Sequence, residues 1–287
     1  MCTSLSITNI NSFSTLIPPD ISERINLPYI YGIGILALGT KKYAPAGVLL
    51  YRLHKRSDGN RIEIEWINVS SKKRRLGYAK ALLNELATEA VSLNADSLIL
   101  DLPASDASEE MTAFLGHFGF SFSLQISPIT SLPYSEVMKL LILNDDVKDP
   151  RIRFVKDISA STFKRSLQQI LGNTSDDIPD ILNTDISWYD TEVSSVLMSG
   201  ATPIAMLLFH RCPTGKLQIV FMGGTQSVSS KDYMILMQAA AKEEKTTTLN
   251  DNYDIEILLR SESGMTVVDN LYPNHPARLV IRAGIAV

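Results

Sequence analysis

The stretch SSKKRRLGYAKALL, residues 70–83, places four consecutive cations and a glycine directly before a patterned apolar segment. Residues 61–69 in front of it alternate as a β-strand does, and apolar residues recur behind it at helical spacing. The sequence therefore predicts a strand, a short basic loop and a helix in succession. The first N–H groups of a helix have no intrahelical partner, and the helix dipole makes that end positive. The arrangement favours an anion such as phosphate, and a solvent-exposed basic loop before an ordinary core helix is the alternative.

The composition excludes several classes of protein. The chain has 287 residues, 45% of them hydrophobic, which is enough for two domains. A net charge of −4 and a pI near 5.6 argue against a general nucleic-acid binder. No apolar run has the roughly 20 residues that a membrane span needs, and the N-terminus lacks the features of a secretory signal. Cys2 and Cys212 lie too far apart in sequence to suggest a metal or redox motif. We therefore expect a cytoplasmic protein that binds neither metal, nucleic acid nor membrane.

The strand before the basic loop alternates strictly between two kinds of side chain. One face is predicted to carry Glu63, Glu65, Ile67 and Val69, and the other Ile62, Ile64, Trp66 and Asn68.

The order of elements recurs after NDDVKDP, a polar stretch at residues 144–150 that reads as a linker. PAGVLLYRLH corresponds to PIAMLLFHR, RIEIEWINV to KLQIVFMGG, and ADSLILDL to YDIEILLR. We therefore predict two copies of one α/β unit, with domains at 1–147 and 148–287, and chance similarity of strand order as the alternative.

Four residues around the opening stretch carry a family resemblance. Val69, Arg74, Gly77 and Ala79 fit the pattern V-x4-R-x-x-G-x-G/A, which resembles the acetyl-CoA-binding motif of the GCN5-related N-acetyltransferases, the GNAT superfamily. FLGHFGF at 114–120 is similar to a later element of that family. The glycines of a dinucleotide-binding turn and the GK[ST] of a P-loop are both missing. The resemblance implies an α/β (α+β) fold of two units, each a mixed, mostly antiparallel twisted sheet flanked by helices.

The resemblance also implies which residues meet the ligand. The CoA pyrophosphate is expected on a loop formed by Arg74, Arg75, Leu76, Gly77, Tyr78 and Ala79. The pantetheine arm is expected along the backbone of Ile67, Asn68 and Val69.

Transfer to an amine needs a proton acceptor, because alkylamines are mostly protonated at neutral pH. Glu63 lies six residues before Val69, where a branch of the family has its glutamate base, and Glu65 is the second candidate. A solvent-facing pair of glutamates is the non-catalytic interpretation. Leu115 stands where the family usually has a tyrosine that protonates the leaving thiolate. Water, His117 or Tyr134 would then have to replace it.

The resemblance implies an acyltransferase that moves an acetyl group from its cosubstrate acetyl-CoA to a small-molecule or peptide amine. The alternative is a catalytically inactive acyl-CoA-binding or scaffolding protein. The C-terminal copy has neither arginine nor glycine at its helix start, where Ser229 and Asp232 form a capping box instead. We therefore expect one working CoA site per chain and a degenerate second unit. Packing of the two units as an internal pseudo-dimer would suit a monomer, and a homodimer is the other possibility.

Overall fold

The structure is a computed structural model, and it describes most of the chain. The residues that it does not describe are 1, 7, 39–42, 56–58, 104–108, 127–128, 136, 138–148, 172–184, 226, 245–253, 259–261 and 274–278. Residues 144–148 of the predicted linker are therefore outside the described residues. Within the described ranges, none of the helices combines the length and the apolar character that crossing a membrane requires.

The first compact unit is built on a seven-stranded sheet with the strand order β1-β2-β3-β4-β5-β13-β6. Its strands are β1 (Cys2–Ser4), β2 (Ile30–Leu38), β3 (Tyr43–His54), β4 (Asn60–Val69), β5 (Ala95–Pro103), β6 (Ser121–Ile126) and β13 (Leu279–Ala286). Its helices are α1 (Pro19–Ser22), α2 (Tyr78–Ser92) and α3 (Glu109–Phe118), with short 3-10 turns at Ile10–Phe13, Glu23–Asn26 and Ser71–Lys73.

The second compact unit is built on a six-stranded sheet with the strand order β7-β12-β11-β10-β9-β8. Its strands are β7 (Ile129–Pro133), β8 (Ile152–Phe154), β9 (Ser195–Ser199), β10 (Thr202–Arg211), β11 (Leu217–Gly224) and β12 (Asp254–Leu258). Its helices with described bounds are α4 (Ala160–Leu171), α5 (Ser230–Glu244) and α6 (Glu262–Leu271), with 3-10 turns at Val155–Asp157 and Ile186–Trp188. Both sheets are mostly antiparallel and flanked by helices, so the predicted fold class is confirmed.

The compact units differ from the contiguous halves 1–147 and 148–287 that the sequence predicts. Strand β13, from the end of the sequence, lies between β5 and β6 and pairs antiparallel with both. Strand β7, from the first half of the sequence, pairs with β12 in the second sheet. Each sheet thus contains a strand from the other half of the chain. Linker composition does not reveal this exchange, because strand pairing depends on partners far apart in sequence.

The buried face of the first sheet packs against α2, as the helical spacing predicts. Leu82, Leu83, Leu86 and Ala90 of α2 are fully buried in one cluster with residues of β2 to β5. Helix α2 directly follows β4, so this packing fixes where the helix begins relative to the strand.

A β-bulge in β4 overturns the strict alternation predicted for residues 61–69. Leu50 of β3 pairs with Trp66, and the next residue of β3, Tyr51, pairs with Ile64, which leaves Glu65 as the extra residue. A bulge of one residue exchanges the two faces for every side chain that follows it.

The burial pattern shows the exchanged faces. Ile62 and Ile64 lie in the cluster with α2, and Ile67 and Val69 pack against that same cluster. Trp66 packs instead against the cluster around Phe13, Leu16 and Val48 on the opposite face of the sheet. The expectation that Ile67 and Val69 share a face with Glu63 is therefore wrong, because the bulge at Glu65 shifts the period by one residue.

Candidate functional site

The parallel strands β4 and β5 separate partway along their length. Their pairing extends from Asn60 to Glu63, where Glu63 lies opposite Ile99. From Ile64 to Val69, the described pairing of β4 is with β3 alone. In an antiparallel ladder, alternate residues direct their N–H and C=O groups away from the partner strand. The separation therefore leaves backbone donors and acceptors near Ile67, Asn68 and Val69 without a strand partner on the β5 side within the described pairing.

The basic loop ends in two residues with left-handed backbone conformations. The φ angle is 67° at Arg75 and 84° at Gly77, which immediately precedes the first residue of α2. The first intrahelical bond runs from the Ala81 N–H to the Gly77 carbonyl at 2.9 Å. No side chain caps this helix start, and its first turn contains no acidic residue. The N–H groups of Tyr78 and Ala79 therefore point out of the helix start without a partner inside the helix.

The surroundings of the α2 start are open and positively charged. A Cβ atom placed on Gly77 would meet no atom within 4 Å. Lys72, Arg74 and Arg75 are exposed, and Leu76 is 66% exposed. Arg74 also donates from Nε to the Val69 carbonyl at 3.4 Å, which keeps this guanidinium beside the end of β4. Helix N–H groups without an intrahelical partner and exposed cations therefore lie together beside the end of β4.

Glu63 lies at the point where β4 and β5 separate. Its Oε2 is 2.7 Å from His54 Nε2, and the side chains of Glu63 and His54 are 33% and 31% exposed. Burial acts to raise the pKa of Glu63, whereas the hydrogen bond from His54 and the charges of His54, Arg52 and Arg282 lower it. The lowering effects prevail, so the pKa of Glu63 lies below its ordinary value and the carboxylate is ionised at neutral pH.

Glu65, the second candidate for the catalytic base, has different contacts from Glu63. Its Oε1 accepts a 2.6 Å hydrogen bond from Arg52 Nε, and its Oε2 lies 3.4 Å from Arg24 NH1. The Glu65 side chain is only 7% exposed. Both carboxylate oxygens are therefore engaged by arginines, which leaves Glu63 as the more accessible of the two candidates.

An ion pair that sequence reasoning missed lies next to Glu63. Arg282 of β13 donates from Nε and NH2 to the two carboxylate oxygens of Asp101 on β5, at 2.7 and 2.6 Å. Arg282 is also one of the positive charges that lower the pKa of Glu63. The sequence contains no local signal for this contact, because β13 reaches the first sheet from the other end of the chain.

The three residues considered in connection with the missing tyrosine have different surroundings. Leu115 is 1% exposed and packs in the core with α2, so a tyrosine hydroxyl is replaced there by a buried apolar side chain. His117 is exposed in the last turn of α3. Tyr134 is 5% exposed and lies beside Phe209 and Met237 in the second unit.

The second unit repeats the strand geometry of the first. The described parallel pairing of β11 with β12 joins Ile219 to Ile257, and a bulge at Val220 interrupts the pairing of β11 with β10. The strand correspondences predicted from the sequence therefore occupy matching positions in the two sheets, where β3-β4-β5 corresponds to β10-β11-β12.

Helix α5, which follows β11, has a capped N-terminus, unlike α2. Ser229 N–H donates to Asp232 Oδ2 at 3.1 Å, and Asp232 N–H donates to Ser229 Oγ at 3.3 Å. Arg151 NH2 lies 3.2 Å from Asp232 Oδ1. At Gly223, an added Cβ would lie 2.4 Å from the Phe221 ring, so the ring covers that glycine. The predicted capping box is confirmed, and a carboxylate lies where a phosphate-binding helix start would need open N–H groups.

Comparison with known proteins identifies the first unit. Residues 22–120 match the acetyltransferase (GNAT) family, over the strand, basic loop and helix described above. This part of the chain is therefore similar to a GNAT domain. Among curated protein sequences, none matches the chain significantly.

Solved structures resemble the whole chain in a tandem GNAT arrangement. A tandem GNAT protein from the clavulanic acid biosynthesis pathway aligns with a TM-score of 0.68 and 11% identity, covering 100% of this chain and 98% of that one. A GCN5-related N-acetyltransferase from Sphaerobacter thermophilus aligns at 0.55 with 12% identity, covering 100% and 95%. The glucosamine N-acetyltransferase region of a fungal multi-domain GH3 β-N-acetylglucosaminidase aligns at 0.61 with 12% identity. It covers 99% of this chain, which spans 38% of the length of the fungal protein. The chain thus has the fold of two GNAT units, of which the second has a degenerate helix start.

Proposed function

We propose that this protein transfers an acetyl group from acetyl-CoA to a small-molecule or peptide amine, at a single site in the first unit. The observation that carries the proposal is the uncapped start of α2 at Gly77, which follows the part of β4 that has separated from β5. Backbone N–H groups at a helix start bind phosphate through hydrogen bonds and the helix dipole. The second unit supports a single site, because Asp232 closes the corresponding helix start.

Acetyl-CoA would be held by backbone groups and by cations of the basic loop. The N–H groups of residues 75–79 would bind the pyrophosphate, and Arg74 would add charge-assisted hydrogen bonds. Lys72 or Lys73 would meet the 3′-phosphate. The free backbone groups of Ile67 to Val69 would bind the amide groups of the pantetheine arm, much as a further strand would.

The acceptor amine must lose a proton as it attacks the thioester. Glu63 is the candidate carboxylate that assists this step, directly or through a hydrogen-bonded partner, since it is ionised and one-third exposed where β4 and β5 separate. Glu65 would act structurally, since Arg52 and Arg24 bind both of its oxygens. Charged groups of both signs surround Glu63, so the structure favours no particular charge on the rest of the acceptor.

Isothermal titration with acetyl-CoA, followed by turnover with a panel of amines, tests the proposal. We expect one CoA per chain and release of CoA that depends on an added amine. Two equivalent binding sites would contradict our interpretation of the second unit. Binding without transfer to any amine would favour the inactive acyl-CoA-binding or scaffolding alternative.

A further inference from the structure

The contact between His54 and Glu63 fixes which nitrogen of the imidazole is basic. Glu63 is ionised, and its Oε2 lies 2.7 Å from His54 Nε2. Two lone pairs facing each other at this distance would repel, so Nε2 carries a hydrogen and donates it to the carboxylate. In the neutral ring, Nδ1 is then the nitrogen that can accept a proton. Within the described residues, Nδ1 makes no hydrogen bond, and the ring is 31% exposed.

Charged groups surround this pair on one face of the first sheet. They come from β3, β4, β5 and β13 and from the 3-10 turn Glu23–Asn26. These groups are Arg24, Arg52, Arg61, Glu65, Asp101 and Arg282. Arg52 and Arg24 are paired with Glu65, and Arg282 is paired with Asp101. The carboxylate of Glu63 is thus the acidic group in direct contact with the imidazole, and it stabilises the ring when the ring is protonated.

We propose that His54 carries the proton in acetyl transfer, taking it from the attacking amine and returning it to the departing sulfur, while Glu63 orients and stabilises the imidazole. This inference rests on the proposed function and assigns the roles within that same site. The amine nitrogen forms a bond to the thioester carbon, and one amine proton moves to Nδ1. The carbon–sulfur bond then breaks, and the proton moves from the imidazolium to the CoA sulfur. For an acceptor that arrives as an ammonium ion, the additional proton leaves to water.

Two observations favour the imidazole over the carboxylate as the proton carrier. General-base catalysis is most efficient when the pKa of the base lies near the operating pH, and the pKa of Glu63 is held below the ordinary carboxyl value. The tyrosine that would protonate the thiolate is replaced by Leu115, which is buried in the core. A histidine that accepts a proton and then donates it performs both steps, as in the serine-protease triad.

An NMR measurement tests the contact without requiring activity. The chain contains four histidines, so selective 15N labelling of histidine gives few enough signals to assign by substitution of each one. We expect the His54 signal at pH 8 to report a hydrogen on Nε2 and a bare Nδ1. Glu63→Gln should change the His54 signal, because the carboxylate that accepts the Nε2 hydrogen is replaced by an amide. A hydrogen on Nδ1 in the neutral ring would overturn the proposal.

Kinetics test the chemical role in the full chain. His54→Gln keeps a donor toward Glu63 but has no basic nitrogen, so kcat should fall about 10²-fold while the KM for acetyl-CoA changes little. Glu63→Gln should also lower kcat, and the double variant should be little worse than His54→Gln, because the two residues act as a unit. Loss of the imidazole should also change the shape of the pH–rate profile. The comparison is made with two acceptors of different amine pKa, because a change that belongs to the enzyme does not depend on the acceptor.

Other results would overturn the proposal. His54→Gln with kcat within about threefold of wild type would exclude the imidazole as the carrier. A large loss of kcat in His117→Gln, with kcat unaffected in His54→Gln, would indicate that His117 of α3 carries the proton instead. If the wild-type chain binds acetyl-CoA but acetylates no amine, the proposed function fails, and the proposed role of His54 fails with it. If only the role of His54 is wrong, His54→Gln still acetylates the amine.

Discussion

Arg282 and Asp101 form a bidentate ion pair across two neighbouring strands, although 181 positions separate them in the sequence. They are direct partners in the register of β13 with β5. Ala283, the next residue, is fully buried in the core of the first unit. The last described strand of the chain is therefore part of the first compact unit, which also contains Glu63.

The strand exchange predicts how the first unit can be isolated. Ile126 at the end of β6 lies directly opposite Leu279 at the start of β13. A two-residue Asn-Gly turn suits such an antiparallel pair, so residues 1–126 joined through Asn-Gly to 279–287 should fold. We expect a cooperative thermal transition by circular dichroism, and a shift of that transition to higher temperature with CoA.

The contiguous fragment 1–147 is the matched control for that fusion. Without β13, the fragment lacks the strand between β5 and β6, and Ala283 is missing from the core. We expect aggregation or a non-cooperative transition. Equal stability of the contiguous fragment and the fusion would contradict the importance that we assign to β13.

Gly77 tests the phosphate site. Gly77→Glu places a negative charge where the helix start is open, and it adds a side chain to a residue with a φ of 84°. The variant should lose the increase in Tm that CoA gives to the wild-type protein. Gly77→Asn is the matched control, because asparagine tolerates positive φ and adds no charge. Retention of the full CoA shift in Gly77→Glu would place the ligand elsewhere.

Glu65 is predicted to matter for stability more than for chemistry. Glu65→Gln leaves Arg52 and Arg24 without a full negative partner in a largely buried setting, so Tm should fall by several degrees. Titration should show that the affinity for acetyl-CoA is nearly intact. Glu63→Gln should show the reverse, with little change in Tm and a loss of at least roughly 10²-fold in kcat. If Glu65→Gln alone lowered kcat at unchanged Tm, the catalytic role would move to Glu65.

The capping box of α5 predicts a pH-dependent contribution to stability. Burial acts to raise the pKa of Asp232, but the hydrogen bonds from Ser229 and the interaction with Arg151 lower it overall. A carboxyl whose pKa is lower in the folded state stabilises the protein above its unfolded pKa, and this contribution disappears as the pH falls through the folded value. Asp232→Ala should therefore cost about 1 kcal/mol near neutral pH. The difference in Tm from wild type should shrink below about pH 4. A difference independent of pH would contradict the assigned role.

The local elements and the basic loop before α2 could be predicted from the sequence. The cation run, Gly77 and the apolar face of α2 are all encoded within one continuous stretch, so their positions follow from local propensity and spacing. The capping box at Ser229 and Asp232 was predictable for the same reason. Short-range patterns determine short-range structure.

The faces of β4 and the boundaries of the units could not be predicted. The bulge at Glu65 depends on which residues of β3 lie opposite, and alternation alone cannot show it. The insertion of β13 beside β5 is a contact between distant segments, so Arg282 had no signal in the sequence near Glu63. The pairing of Glu65 with Arg52 and Arg24 was hidden in the same way, because it joins β4 to other parts of the chain.

The central claim is amine-dependent acetyl transfer at the start of α2, and parallel turnover assays of wild type and Gly77→Glu test it most directly. The assay follows CoA release with a panel of amines, and mass spectrometry detects the acetylated product. We predict that wild type forms acetylated amine and free CoA in equal amounts, and that Gly77→Glu forms neither at the same acetyl-CoA concentration. Equal turnover by the two proteins, or no product from wild type with any amine, would contradict the claim.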